Sequence, residues 1–210
     1  MLDRKSIYQR TTKEYLERIG RLDLREVSRE RGAVWGEEGV TVPLLGRFYR
    51  VTPARILDSQ GKEPDHAIRV VLCQYLLHEN PNGSDSREWV SFRDFSDAAP
   101  LAEAFRTNAE KAVADDFAKR QDALASIAGR VGGVDAHMPW SYDLTLRFDA
   151  LPRVPILLLF NDSDEDFAAQ CIQLFQRCAE KYLDMESLAI LGWVLADYLR
   201  GIRFIPEEER

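Results

Sequence analysis

The stretch that most constrains this chain is Leu151-Pro152-Arg153-Val154-Pro155-Ile156-Leu157-Leu158-Leu159-Phe160-Asn161-Asp162. Ile156 to Phe160 are apolar without alternation, the pattern of a strand covered on both faces. Proline lacks the N–H of a sheet ladder, so Pro152 and Pro155 place the strand's beginning near Val154, and Asn161-Asp162 end it. A fold containing this strand must supply two apolar layers, one on each side.

The flanking segments supply candidates for them. Ile7, Tyr8, Thr11, Tyr15, Leu16 and Ile19 recur at helical spacing, with Gly20 as a stop. Asp23-Leu24-Arg25-Glu26 reads as a capping box opening a second helix that Gly32 ends. Val40, Val42 and Leu44 alternate with Thr41 and Pro43, and Phe48 to Val51 follow a Gly46 turn. This predicts a hairpin whose first strand, carrying Pro43, lies at an edge. Asp65 caps a helix bearing Ile68, Val71, Leu72, Tyr75 and Leu76. Trp89 to Phe92 reads as a short extended segment. From Pro100, helical spacing through Leu101, Phe105, Val113, Phe117, Leu124 and Ile127 predicts a helix to Gly129, unbroken or interrupted near Thr107-Asn108 or Asp115-Asp116.

Gly129, Gly132 and Gly133 predict a loop. Tyr142 to Phe148 alternates as a half-buried strand, which Asp149-Ala150 separate from the central one. Cys171 to Phe175 suits strand or helix; a strand pairing back across the acidic loop is preferred. A short helix through Ala179 to Tyr182 precedes a last helix capped by Asp184, with Leu188, Leu191, Leu195, Tyr198 and Leu199 on one face and Gly201 at its end. The expected fold is one α+β domain over 1–210: a small, mostly antiparallel sheet with several amphipathic helices, a helical arm over about 4–32 and a loose tail over about 203–210.

Composition narrows the partners. Ten Phe, seven Tyr and four Trp supply a sizeable core, and a net charge of -7 argues against nucleic acid or an anionic membrane as the partner. Cys73, Cys171 and Cys178 are odd in number and widely spaced, unlike a disulfide framework or a Cys-x-x-Cys metal site, so three reduced thiols in a cytoplasmic protein are expected. The N-terminus lacks a signal-peptide core, and no apolar run approaches the ~20 residues of a membrane span.

Few residues suggest chemistry. In Asp162-Ser163-Asp164-Glu165-Asp166 the alternating carboxylates invite a hard cation, with Asp162, Asp164 and Asp166 at the first, third and fifth positions of a calcium loop. Phe167 and Gln173 then stand where glycine and a bidentate glutamate belong, so a solvated loop is expected and no metal. His66, His78 and His137 lack metal-ligand spacing. His137, in a loop beside Trp140, reads either as a ligand or base or as an ordinary loop histidine, and the second is preferred. Trp89-Val90-Ser91-Phe92-Arg93-Asp94-Phe95 reads two ways: a pocket wall, with Arg93 gripping an anion by two parallel hydrogen bonds, or core aromatics with a local Arg93–Asp94 pair. The second is preferred. The ligand-binding candidates are therefore Trp89, Arg93, Asp94 and His137. No phosphate loop or nucleophile elbow is present.

Several segments together resemble an uncharacterised domain-of-unknown-function family of anaerobic bacteria and archaea. They are Leu45-Gly46-Arg47-Phe48-Tyr49-Arg50-Val51, Tyr75-Leu76-Leu77, Trp89-x-x-Phe92-Arg93-Asp94, Pro152-x-x-Pro155-Ile156-Leu157-Leu158, Leu174-Phe175 and Tyr182-Leu183. Some relatives in that family carry an added iron-sulfur module, and this chain has no such cysteine-rich module, so no cofactor is expected. The resemblance implies a cytoplasmic accessory or binding module in anaerobic redox or one-carbon metabolism, with a protein or small-molecule partner. Two other classes stay open: an enzyme with a carboxylate-lined pocket, perhaps dependent on a divalent metal, and a structural protein that forms homodimers through an aromatic face.

Overall fold

The computed structural model describes residues 4–202, with side chains from Arg10 onward. The tail expected to be loose lies outside the described residues. Helix α1 (Arg4–Ile19) closes at Gly20, whose N–H reaches Leu16 O. Helix α2 (Leu24–Arg31) starts where the Asp23 carboxylate accepts the N–H groups of Arg25 and Glu26, and ends at Gly32, which takes the left-handed φ of 68° that glycine tolerates.

An antiparallel meander follows: β1 (Val34–Gly36), β2 (Gly39–Leu44), β3 (Arg47–Val51) and β4 (Ile56–Asp58), hydrogen-bonded in that order. Strand β2 is therefore interior, not the edge that Pro43 predicts. Strand β1 pairs only with Gly39 to Thr41, so Pro43 lies past its reach and its missing N–H breaks no ladder. Val40, Val42, Leu44, Tyr49 and Val51 form the buried face. Helix α3 (His66–Leu77) is capped by Asp65, which accepts the Ile68 N–H at 3.1 Å, and buries Ile68, Val71, Leu72, Cys73, Tyr75 and Leu76.

The second sheet begins with β5 (Trp89–Ser91) and a 3₁₀ turn (Phe92–Asp94). The long helical stretch is interrupted: α4 (Ala102–Phe105) widens into a π-helical segment (Arg106–Lys111), continues as α5 (Ala112–Phe117), and breaks at Lys119 before α6 (Gln121–Arg130). Strands β6 (Gly133–Asp135), β7 (Leu144–Leu151), β8 (Val154–Asn161) and β9 (Gln170–Gln176) complete an antiparallel sheet in the order β5-β9-β8-β7-β6. Asp149-Ala150 do not end β7, as the alternation suggests. A register shift between Phe148 and Leu151 absorbs them, and the turn is Pro152-Arg153. Cys171 to Phe175 is a strand, antiparallel to β8 across the acidic loop. Helix α7 (Met185–Leu199), capped by Asp184, follows a 3₁₀ turn (Arg177–Lys181).

The fold is thus α+β with two antiparallel sheets, where the sequence suggests one. Leu45 N–H joins them by donating to Ala150 O at 3.0 Å. Central strand β8 is buried from Val154 to Phe160. Leu158 faces Gln173 across the β8–β9 pair, and Leu159 faces Ile172. Because side chains alternate along a strand, Ile156, Leu158 and Phe160 point one way and Leu157 and Leu159 the other. The first set joins the main core with α7, whose buried face runs from Ser187 to Leu199. The second set faces the groove side of the sheet. Among the described residues no helix is long and apolar enough to cross a membrane.

Candidate functional site

The groove is built where β5 stops. Opposite Leu174, Ser91 hands the chain to the 3₁₀ turn because the Asp94 carboxylate accepts its N–H at 3.0 Å and its hydroxyl at 2.7 Å. The Ser91 hydroxyl bond, helped by the Ser91 N–H, outweighs partial desolvation and holds the Asp94 carboxyl below its usual range. The turn sends Phe92 inward, where its ring stacks on Phe105 at 4.4 Å, and sends Arg93 outward.

With β5 gone, the N–H of Gln173 on β9 has no strand partner. The Glu110 carboxylate, from the π-helical segment, accepts it at 3.1 Å. Burial, the largest influence, pushes the Glu110 carboxyl above its ordinary range, while the Gln173 N–H and the nearby Arg106 and Arg93 pull it back. The Gln173 side chain lies on the core side, donating to Ala109 O in the π segment and to Gly192 O in α7, each at 3.3 Å. Gln173 therefore ties the π segment, β9 and α7 together behind Glu110.

The result is a cavity of about 1180 Å³ on the outer face of the five-stranded sheet. Its floor is apolar: Leu159, Ile172 and Leu174. One wall carries Trp89 and Arg93, another Arg106 and Glu110, and the third is the loop holding Trp140 and Tyr142. Arg106 is held by Glu103 through two parallel bonds, at 2.7 and 3.1 Å. Arg177 stands 3.7 Å from Glu88 and donates to Asp94 O at 3.4 Å. Among the described residues Arg93 makes no hydrogen bond or ion pair of this kind, and its charge acts from a distance on Asp94 and Glu110. No His, Cys or Lys is among the residues lining this cavity.

Comparison with family models matches residues 23–198 to a domain of unknown function, DUF3786. The chain belongs to the DUF3786 family. The matched span runs from the Asp23 cap to Tyr198 in α7 and so contains both sheets and every residue of the groove. No curated protein and no solved structure matches.

Within this DUF3786 domain, Trp89, Arg93 and Asp94 share one cavity. Phe92 and Phe95 are core, and Asp94 is engaged locally at the start of the 3₁₀ turn, with Ser91 as its hydrogen-bond partner and Arg93 near enough to lower its carboxyl. His137 lies apart, in an adjoining polar cavity of about 310 Å³ that shares Trp140 and Tyr142 with the groove. Its backbone has φ of 48°, its N–H is tied to Asp135 at 2.7 Å, and its ring stands 3.4 Å from the same carboxylate.

The acidic loop is engaged with its own backbone. Asp162 accepts the N–H of Lys119 at 2.5 Å and of Ser163 at 2.7 Å, and Asp164 accepts those of Asp166 and Phe167. Desolvation pulls the Asp162 carboxyl up, but the N–H groups of Lys119, Ser163 and Gln121 together hold it below its usual range. Among the described residues no three His, Cys, Asp or Glu side chains gather as a metal ion requires. Glu110, Arg106 and Tyr142 escape a sequence reading because they meet only in space. One signal was available: β9 is apolar on both faces, and a strand of that kind has two surfaces to cover.

Proposed function

We propose that the chain is a non-catalytic binding module, a cytoplasmic accessory of anaerobic redox or one-carbon metabolism, and that it takes a small-molecule ligand in the groove over β8 and β9. The observation that carries this is the groove's construction: an apolar floor, aromatic walls, and a few charged groups fixed by neighbours, the build of a ligand site. Its volume, about 1180 Å³, suits a small organic molecule. The Ser91 hydroxyl and the Asp94 carboxylate are tied to each other at 2.7 Å as part of the turn that ends β5, which favours a positioning role over chemistry.

The test is a fragment survey read by backbone NMR shifts. Hits should perturb residues 89–94, 139–142 and 172–174, and should be lost in Ile172→Trp, which fills the floor. Hits that map elsewhere, or that survive Ile172→Trp, would sink the reading.

Glu110 favours a second reading, an enzyme with a carboxylate-lined pocket. A half-buried carboxyl with its affinity for protons raised, in a cleft, is placed to exchange a proton with a bound molecule. Under this reading a bound fragment would be converted to product by the native protein and left intact by Glu110→Gln.

A further inference from the structure

We infer that the groove selects an aromatic monoanion: a planar ring held between the aromatic walls over Leu159, Ile172 and Leu174, with one carboxylate-like group on Arg93. The inference rests on the groove being the binding site and adds the class of molecule it takes.

The charge arrangement decides the class. Three arginines line the groove, Arg93, Arg106 and Arg177, against four carboxylates, Glu88, Asp94, Glu103 and Glu110. Two of the arginines are already engaged. Arg106 spends its fork on Glu103, and Arg177 sits between Glu88 and the Asp94 carbonyl. Asp94 is committed to Ser91. Arg93 remains with its donors uncommitted. A guanidinium offers a planar fork matched to a carboxylate, so one bidentate anion fits there. The carboxylates outnumber the arginines by one, so a polyphosphate would meet repulsion along the walls.

The aromatic part follows from the surfaces around Arg93. Trp89, half-buried on β5, Trp140, 38% exposed in the opposite loop, and Tyr142 all line the cavity. Rings stack in offset or edge geometry on other rings, and a flat ligand gains contact with both walls without ordering a flexible chain. Among the described residues Glu110 accepts one hydrogen bond, from the Gln173 N–H, so carboxylate lone pairs remain to receive an N–H or O–H on the ligand's ring.

The test compares four probes by ligand-observed NMR: indole-3-acetate, its neutral amide indole-3-acetamide, acetate and inorganic pyrophosphate. Indole-3-acetate should bind tighter than acetate, which lacks the ring, and about tenfold or more tighter than the amide, the factor for one charge-assisted hydrogen bond. Arg93→Gln should erase that advantage and leave the amide's affinity unchanged. Arg93→Lys, which keeps the charge but not the fork, should recover part of it. Because Arg93 is exposed and contributes no hydrogen bond to the fold, these variants should melt with the native protein, and a melt checks this. Equal binding of acid and amide, tighter binding of pyrophosphate, or an acid preference that persists in Arg93→Gln would each overturn the inference. If fragments still map to the groove, the binding-module reading stands without it; if none do, both fall together.

Discussion

At Gly192 helix α7 packs tightly against Phe105 of the groove wall, and its substitution tests the architecture directly. A Cβ there would lie 2.4 and 2.9 Å from two carbons of the Phe105 ring and 2.9 Å from the Gln173 side-chain oxygen. The ring cannot swing aside freely, since it stacks on Phe92 and tilts against Phe175 with centroids 5.9 Å apart. Overpacking a tight core costs about 1–3 kcal/mol, and this contact belongs at the upper end. Replacing glycine by alanine inside a helix returns about 1 kcal/mol of propensity. Gly192→Ala should therefore lose roughly 2 kcal/mol, and at about 2–4 °C per kcal/mol for a chain of this size the melting midpoint should fall by about 4–8 °C. The assay is reversible unfolding by heat and by urea, with the Gly192→Ala/Phe105→Leu double variant as its partner. The double variant should be less destabilised than the sum of the two single changes, because the smaller side chain makes room for the new methyl. An unchanged or raised midpoint in Gly192→Ala would show that α7 and the π segment do not approach as described.

Four further outcomes are expected. Leu158→Asp places an unpaired carboxylate in the core and should cost several kcal/mol, so a soluble variant melting with the native protein would refute the placement of β8. Burial pushes the Cys73 thiol up to about 12 and the Cys171 thiol well above its ordinary range, so a thiol reagent should modify half-buried Cys178 first and the other two only after unfolding; iron or zinc lost on Cys→Ser replacement would contradict this. Glu110 has a raised folded-state pKa, so its contribution is complete below the ordinary carboxylate range and is lost as pH rises through the raised value. Glu110→Gln should accordingly gain stability relative to native protein at neutral pH and lose that advantage in acid, as unfolding at two pH values would show. Asp162 has a depressed pKa, so its contribution is present above that range and lost as pH falls; Asp162→Ala should cost about 1 kcal/mol at neutral pH, and native melts in calcium, magnesium or chelator should coincide.

Much of the fold is legible where the sequence carries a local physical signal. The unbroken run of β8, the carboxylate caps Asp23, Asp65 and Asp184, and the stop at Gly32 all act through neighbours in the chain, and all stand where the pattern puts them. Strands β1, β4 and β6 are three residues each, too short to display a period, and their pairing comes from partners outside the segment. Pro43 misleads for a related reason: it reports a missing N–H, and the sheet meets that by letting β1 end early. The site divides in the same way. Trp89, Arg93 and Asp94 lie within six residues and can be seen together. Glu110 and Arg106 read as an ordinary charged helix surface until β5 stops short and leaves the Gln173 N–H to be met.

The π-helical segment has a consequence for how that surface is aimed. Phe105, Ala109, Val113 and Phe117 are all buried, at every fourth position over thirteen residues. At about 100° per residue an α-helix overshoots by roughly 40° with each such step, so the four would spiral off a common face. A wider turn between Arg106 and Lys111 takes back part of that rotation, much as a leap day realigns a calendar. Two half-helices that would drift out of phase keep one buried heading, while Glu103, Arg106 and Glu110 are left on the groove side.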